Sequence, residues 1–243
     1  MEEDGTCEYQ ELTALPGAVD NASSCGLFFS GYAEGSSNNK FLEIYNPTDA
    51  AISLADFAFP SVSNAPSNPG EYEYWNAFPE GASVAAGDVY VVCHGSADDI
   101  IAAECDQTFT YLSNGDDVFA LTQMGSGDIV DIIGTIGADP GSGWDVAGIA
   151  NGTKDHTLIR KASVCQGNPV ELGSFGTDSL NSEWVVMPQN DWADLGSHTA
   201  SCSSGSNCTA NAGIDQKVCK GDTTTYCYKS RTWTFPIQGV KQS

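Results

Sequence analysis

The sequence predicts an all-β protein, an antiparallel β-sandwich with one short helix. Three observations support this fold class. Strand-like segments are short and closely spaced, many are bounded by Gly, Asn, Asp or Pro, and a single segment has a helical pattern. A chain of strands alternating with helices would indicate an α/β fold instead.

Ten segments have strand-like patterns: residues 26–33, 41–46, 51–59, 71–78, 88–95, 107–112, 117–123, 128–137, 156–164 and 183–188. In residues 41–46, alternation places Leu42 and Ile44 on one face. We expect that face to be buried together with apolar residues from other strands, Val89, Val91, Val118 and Ala120.

The helix candidate is SADDIIAAEC, residues 96–105, with Ser96 as its expected N-cap. Cys93 lies just before it. A helix of about eight residues runs back about 12 Å, which returns Cys105 to the level of Cys93. The geometry therefore predicts a Cys93–Cys105 disulfide.

A polar run, EGSSNN at residues 34–39, separates the first two strands. Gly, Ser and Asn tolerate turn conformations and hydrogen-bond to their own backbone. Glu34 and Lys40 can pair across the mouth of this loop. We favour structural closure of the sandwich over contact with a ligand.

Charge is distributed unevenly along the chain, which has a formal net charge of −23. Residues 1–26 contribute −6, residues 27–199 contribute −20 and residues 200–243 contribute +3. Such a body repels phosphate backbones, so direct nucleic-acid binding by the main domain is not expected. The charge favours solubility in a salty medium or attraction of Ca²⁺ or a cationic surface.

Cysteine usage indicates a secreted, extracellular protein. Nine Cys in a Gly-rich and Ser-rich chain fit an oxidising compartment, and paired C-x-x-C motifs typical of zinc sites do not occur. Sequons at Asn21, Asn151 and Asn207 agree with secretion as glycosylation sites. The N-terminus lacks signal-peptide features, so a signal was removed or never existed. No apolar run is long enough for a membrane helix.

Six stretches occur in the order found in the lamin tail domain family, particularly its secreted microbial branch: LFFSGYAEGSSNNKFLEIYNPTDAAISL, GDVYVVCHGSA, LSNGDDVFAL, DIVDIIGTIGADPGSGW, DHTLIRKASV and EWVVMPQNDWADLGSHT. The resemblance covers about residues 26–199. It implies an immunoglobulin-like β-sandwich, which the strand count also favours. Family members often accompany secreted nucleases and phosphoesterases, or sit in surface proteins, without being known as catalysts themselves.

Catalytic constellations are not evident in the sequence. His94, His156 and His198 are far apart and lie in no metal-ligand or nucleophile motif. The chain is therefore predicted not to be an enzyme and to need no cofactor. The acid-rich turn with Asn114, Asp116 and Asp117 is a weak calcium candidate, although ordinary turn formation also explains it.

Aromatic residues offer a different kind of site. As a strand, residues 71–78 would place Tyr72, Tyr74 and Asn76 on one face, with Glu71, Glu73 and Trp75 on the other. An exposed face could stack on sugars or pack against a partner. Burial of that face in the core is the favoured alternative.

The predicted organisation has three parts: an N-terminal arm (1–25), the lamin-tail-like sandwich (26–199), and a linker with a truncated or partial module (200–243). Residues 208–225 resemble the start of a PKD-like or Ig-like module. We expect a non-catalytic secreted or cell-surface module for adhesion, attachment or assembly, with an unknown protein or glycan surface as partner and self-assembly possible. The alternative is an accessory domain of a larger secreted nuclease or phosphoesterase.

Overall fold

A computed structural model describes residues 26–201, 223–228 and 231–236. The chain divides into two units, Ser23–Thr209 and a second unit formed by Met1–Ala22 with Ala210–Ser243. The predicted N-terminal arm lies outside the described residues. Its boundary at residue 25, and the one at residue 199, stay predictions.

The described part of the first unit contains twelve strands, one α-helix and one 3-10 turn. The strands are β1 (Phe28–Glu34), β2 (Lys40–Tyr45), β3 (Ile52–Ser53), β4 (Phe57–Ala58), β5 (Ser61–Val62), β6 (Ser83–Val84), β7 (Val89–Cys93), β8 (Gln107–Thr108), β9 (Val118–Gln123), β10 (Ile129–Ile133), β11 (His156–Arg160) and β12 (Trp184–Pro188). The helix α1 is Asp99–Ala102, and the 3-10 turn is Leu54–Asp56.

Two main sheets form the sandwich. The first has six strands in the order β12-β11-β1-β2-β7-β8, and the second consists of β10, β9, β4 and β5. All pairings within them are antiparallel except β7 with β8, which is parallel. β3 and β6 form a small separate ladder. The structure is thus the mostly antiparallel, immunoglobulin-like β-sandwich that the sequence predicts, with one short helix.

The core lies between the two sheets. Leu42 and Ile44 are fully buried there, in one cluster with Val118 and Ala120. This part of the expected core set is correct.

The other two expected partners, Val89 and Val91, face the opposite side of the first sheet. In the β2–β7 register Leu42 lies opposite Val92 and Ile44 opposite Tyr90. Opposite residues in an antiparallel pair share a face, so Tyr90 and Val92 enter the core. Val91 instead packs in a second cluster, with Val89 against it.

That second cluster explains why β1 and β2 are buried on both faces. Phe41, Val91 and Ile101 form its centre, with Trp192 and Leu195 packed against them. The Phe41 and Trp192 rings meet edge to face at 5.8 Å between centroids. Helix α1 and the segment after β12 therefore cover the outer face of the six-stranded sheet.

Three predicted elements differ from the structure. The 51–59 segment is split by the 3-10 turn, whose N-cap Ser53 accepts a hydrogen bond from Ala55 N–H. The helix is only four residues long and its N-cap is Asp98, so the expected Ser96 cap was wrong. Residues 71–78 are not a strand, and their β-type pairing with the second sheet consists of isolated bridges at Tyr74 and Ala77.

A buried ion pair joins the two sheets. Arg160 of β11 and Asp131 of β10 have fully buried side chains, and their closest nitrogen and oxygen atoms are 3.1 Å apart. Asp131 also accepts the backbone N–H of Phe29 at 2.9 Å. The β1–β2 ladder shifts register beside this bond, between Phe29 and Gly31.

In the second unit the structure describes one hairpin, β13 (Thr223–Tyr228) with β14 (Arg231–Pro236). The strands pair antiparallel, from Thr223 opposite Pro236 to Tyr228 opposite Arg231. The resemblance to a PKD-like or Ig-like module at residues 208–225 lies outside the described residues, apart from its last three positions.

Candidate functional site

The segment 71–78 runs beside β4 and β5 at the side of the second sheet. Ser61 N–H donates to Tyr74 O at 2.9 Å, and Phe59 N–H donates to Asn76 O at 2.8 Å. The Asn76 side chain donates to Phe59 O at 2.9 Å and to Ser61 Oγ at 3.0 Å. These bonds fix the backbone of the segment without making it a regular strand.

The side chains of this segment do not alternate between two faces as the sequence predicts. Tyr72 is partly buried against the core cluster, whereas Tyr74 is 55% exposed and Trp75 is 47% exposed. The rings of Tyr72 and Trp75, expected on opposite faces, contact each other edge to face at 6.2 Å. Irregular backbone, held by bridges at two residues only, breaks the two-residue period.

Trp75 also contacts a residue that sequence reasoning missed. Its indole N–H donates to Met124 Sδ at 3.4 Å, and Met124 is 45% exposed. Met124 follows the last residue of β9 and is held by its own N–H, which donates to Asp56 O at 2.8 Å. We call Trp75 and Met124, together with the exposed Tyr74 that precedes Trp75 in the chain, the Trp75 patch.

The carboxylate of Glu73, next to the patch in the chain, holds the loop before it. Glu73 accepts hydrogen bonds from Ser63 N–H at 3.0 Å, from Ser67 N–H at 3.1 Å and from Ser67 Oγ at 2.6 Å. These bonds lower the pKa of Glu73, so it is ionised at neutral pH. The loop before the patch is thereby tied to the residue next to Tyr74.

Clustered exposed aromatic and Met side chains differ from scattered surface apolar residues, which need no explanation. Trp and Tyr are enriched at the energetic centres of binding surfaces, and Met adapts its shape to different partners. A rigid backbone beneath them reduces the entropy lost on binding. The arrangement is therefore suited to binding a partner.

The calcium candidates lie together in the turn before β9. With its amide nitrogen toward them, Asn114 donates to Asp116 Oδ1 at 2.7 Å and to Asp117 Oδ2 at 3.2 Å. Asp117 Oδ1 accepts Asn64 N–H at 2.7 Å. Burial raises the pKa of both Asp116 and Asp117. These oxygens serve as acceptors for protein donors, and calcium binding stays a prediction.

The loop between β1 and β2 is tied to the rest of the sandwich. Lys40 Nζ lies 3.4 Å from Glu34 Oε1, so the expected pair forms. Asn39 exchanges two hydrogen bonds with Asp98 at the start of α1, of 2.7 and 2.8 Å. Ser36 N–H donates to Asn190 Oδ1 at 2.8 Å. These contacts agree with structural closure as the role of this loop.

The three histidines each have separate local contacts. His94 Nδ1 accepts Ser96 N–H at 3.0 Å, His156 Nδ1 lies 2.6 Å from Lys154 O, and the His198 ring packs edge-on against Tyr45. Across residues 26–201 and the described hairpin, no group of three or more His, Cys, Asp or Glu is placed to hold a metal ion.

A buried carboxyl lies beneath the segment that covers the outer face. Glu43 of β2 is 3% exposed; it accepts Ser30 Oγ at 2.7 Å and Gly196 N–H at 2.8 Å. Burial raises the pKa of Glu43 to about 7, the two hydrogen bonds lower it, and the charges of Asp194 and Glu104 raise it further. This group was not anticipated, because the sequence does not reveal that a later segment covers β2.

Cys93 and Cys105 form a disulfide, with their Cα atoms 5.7 Å apart. Cys165 is also disulfide-bonded.

Among the sequons, Asn151 is exposed, whereas the hydroxyl of Thr153 is buried and donates to Gly115 O at 2.6 Å. Asn21 and Asn207 lie outside the described residues, and glycosylation stays a prediction at all three.

Within the described residues, no helix has the length and apolar character needed to cross a membrane.

Comparison with known families shows that residues 20–137 match the lamin tail domain. No curated protein matches the chain. The match is shorter than the predicted 26–199, yet β11 pairs with β1, and β12 pairs with β11, in the same sheet. The sandwich thus continues beyond the matched residues.

Proposed function

Because the chain contains a lamin tail domain across residues 20–137, we propose that it is a non-catalytic binding module of a secreted or cell-surface protein, used for adhesion, attachment or assembly. The Trp75 patch is the contact surface in this proposal. Domains of this family are immunoglobulin-like and generally non-enzymatic, which agrees with a binding role.

The observation that carries the proposal is the placement of Tyr74, Trp75 and Met124. Each is about half exposed, at 55%, 47% and 45% respectively. The backbone of Tyr74 is held by bonds to Ser61, and that of Met124 by a bond to Asp56. An exposed and preorganised aromatic surface gains binding free energy with little ordering cost.

Secretion is part of the same proposal. The Cys93–Cys105 disulfide and the nine cysteines of the chain support an oxidising compartment. Assembly with further copies is supported by the opposite charges of the main domain and residues 200–243.

A binding screen of the full chain tests this function. Fluorescently labelled chain and its Trp75→Ala variant are applied to immobilised neutral, acidic and basic glycans and polypeptides. We expect retention of the unchanged chain on at least one class and loss of retention for the variant. Tyr111→Ala, which removes another exposed aromatic, is the matched control and should be retained.

Equal retention of Trp75→Ala on every ligand would contradict the patch as the contact. The non-catalytic part of the proposal is tested on the same samples by adding DNA and a phosphodiester substrate with Mg²⁺ or Mn²⁺. Hydrolysis that copurifies with the chain would contradict it and would favour a nuclease or phosphoesterase role.

A further inference from the structure

The Trp75 patch lies in a part of the chain that carries no positive side chain. Between Lys40 and Lys154 the sequence has 17 acidic residues and no Lys or Arg. Every strand of the second sheet, β4, β5, β9 and β10, falls in this range. The potential around this sheet is therefore set by carboxylates.

The basic residues nearest in sequence are largely occupied. Lys40 pairs with Glu34, Arg160 is buried against Asp131, and Lys161 Nζ donates to the backbone oxygen of Ser179 at 2.6 Å. The charges of Lys40 and Lys154 act on Asp116, which precedes β9, whereas Met124 of the Trp75 patch follows the other end of β9.

Acidic residues also lie on the segments that form the patch. Glu71 and Glu73 precede Trp75 in its own segment. Asp128 belongs to the β9–β10 turn that carries Met124, with Gln123 N–H donating to Asp128 O at 2.9 Å. An aromatic face on segments that also carry carboxylates attracts cations, since the ring quadrupole and the carboxylates act in the same direction.

The backbone at the patch favours a polypeptide as the cation carrier. Tyr74 and Asn76 direct their backbone oxygens toward β4 and β5, whereas the N–H and C=O of Trp75 have no partner among the described residues. An extended peptide can pair with these groups at the sheet edge while its side chains reach the indole.

We propose that the Trp75 patch binds a basic polypeptide segment, with an Arg or Lys side chain over the Trp75 indole and further cations near Glu71 and Asp128. This inference rests on the proposed binding function and adds the chemical class of the partner. Phosphate-bearing partners are disfavoured because residues 41–153 offer them no cation. A neutral glycan would gain nothing from the carboxylates.

The test uses the full chain and three probes: hexa-arginine, hexa-lysine and a neutral chitin oligosaccharide. Affinities are measured by isothermal titration at low and high salt. We expect hexa-arginine to bind more tightly than hexa-lysine, because guanidinium also stacks on aromatic rings. Binding should weaken as salt rises, since the Debye length falls from about 10 Å at 0.1 M to about 3 Å at 1 M.

Variants distinguish binding at the Trp75 patch from nonspecific attraction to the negatively charged chain. Trp75→Ala is expected to weaken hexa-arginine binding about tenfold. Asp128→Asn with Glu71→Gln should reduce the salt dependence. Tyr111→Ala changes an exposed aromatic outside the patch and should leave binding unchanged. Thermal unfolding of each variant verifies that the sandwich is intact.

The outcomes distinguish this inference from the proposed function. If the oligosaccharide binds and Trp75→Ala abolishes that binding while hexa-arginine does not bind, the patch is a binding site and the cationic partner is wrong. If hexa-arginine binds the unchanged chain and Trp75→Ala equally, attraction is nonspecific and the inference is overturned. If neither probe binds and the immobilised screen also shows no retention, both proposals fall.

Discussion

Replacing Glu43 by Gln isolates the energetic effect of one buried carboxyl. The pKa of Glu43 rises from 4.5 to about 7 on burial. The folded protein therefore holds the proton more tightly than the unfolded chain does. Stability from this group is fully present below pH 4.5 and is lost as pH rises toward and through 7.

The size of the effect follows from the same shift. One unit of pKa corresponds to about 1.4 kcal/mol, so the full shift is worth about 3 kcal/mol. Between pH 5 and pH 8 about 2.5 kcal/mol of it is lost. Gln has nearly the same shape and no charge to desolvate. It can accept Gly196 N–H and donate to Ser30 Oγ, which keeps both contacts.

Urea unfolding of both proteins at pH 5 and pH 8 measures this difference. The stability of Glu43→Gln relative to the unchanged chain should increase by about 2.5 kcal/mol between the two pH values. Other titrating groups are common to both proteins and cancel. Glu80→Gln, at an exposed position, is the matched control and should show no pH-dependent difference.

A relative stability that stays constant within about 0.5 kcal/mol across this range would refute the reasoning. A change of opposite sign would also refute it. That result would mean that the ionised carboxylate is stabilised by its two donors more than burial destabilises it.

Three further predictions concern stability. Removing the disulfide by Cys93→Ala with Cys105→Ala should cost about 3 kcal/mol, and nonreducing peptide mapping should recover the two residues as one linked pair; a free thiol at either would exclude the bridge. Ile44→Ala should cost about 2–5 kcal/mol in urea unfolding, and a loss below about 0.5 kcal/mol would indicate an exposed strand. Arg160→Met should cost about 3–5 kcal/mol by leaving Asp131 unpaired in the core, and adding Asp131→Leu should recover part of that loss; equal stability of the two variants would contradict this.

The fold class could be predicted because it follows from local patterns, which depend only on residues that are neighbours in the sequence. Turn residues and short apolar runs located nine of the ten predicted segments, each of which contains observed strand residues. The Cys93–Cys105 contact followed from the length of one intervening helix. Even with a helix of four residues instead of about eight, the turn returns Cys105 to within 5.7 Å of Cys93, measured between Cα atoms.

Which residues of a strand face the core was harder to predict than where the strands lie in the sequence. Val91 was placed in the core because β7 is apolar at every position, VYVVC, so alternation alone cannot choose a face. The choice is made by the register with β2, which sets Tyr90 and Val92 inward. Val91 can point to the other face of the sheet only because α1 and the segment with Trp192 cover that face. A sequence that is apolar on both sides indicates two covers but does not say which residues face each one.

The Trp75 patch shows the same limit at a surface. Its aromatic residues are local in sequence and were identified as a candidate, but Met124 lies 49 residues away and reaches Trp75 through the β9–β10 turn. That approach depends on β9 pairing with β4 as Phe57 opposite Gln123, since Met124 is the next residue. A one-residue slip in this register would send the side chain to the other face. The exposed surface therefore depends on the same strand pairing that buries Phe119 and Leu121 in the core, which links the proposed binding role to the stability of the second sheet.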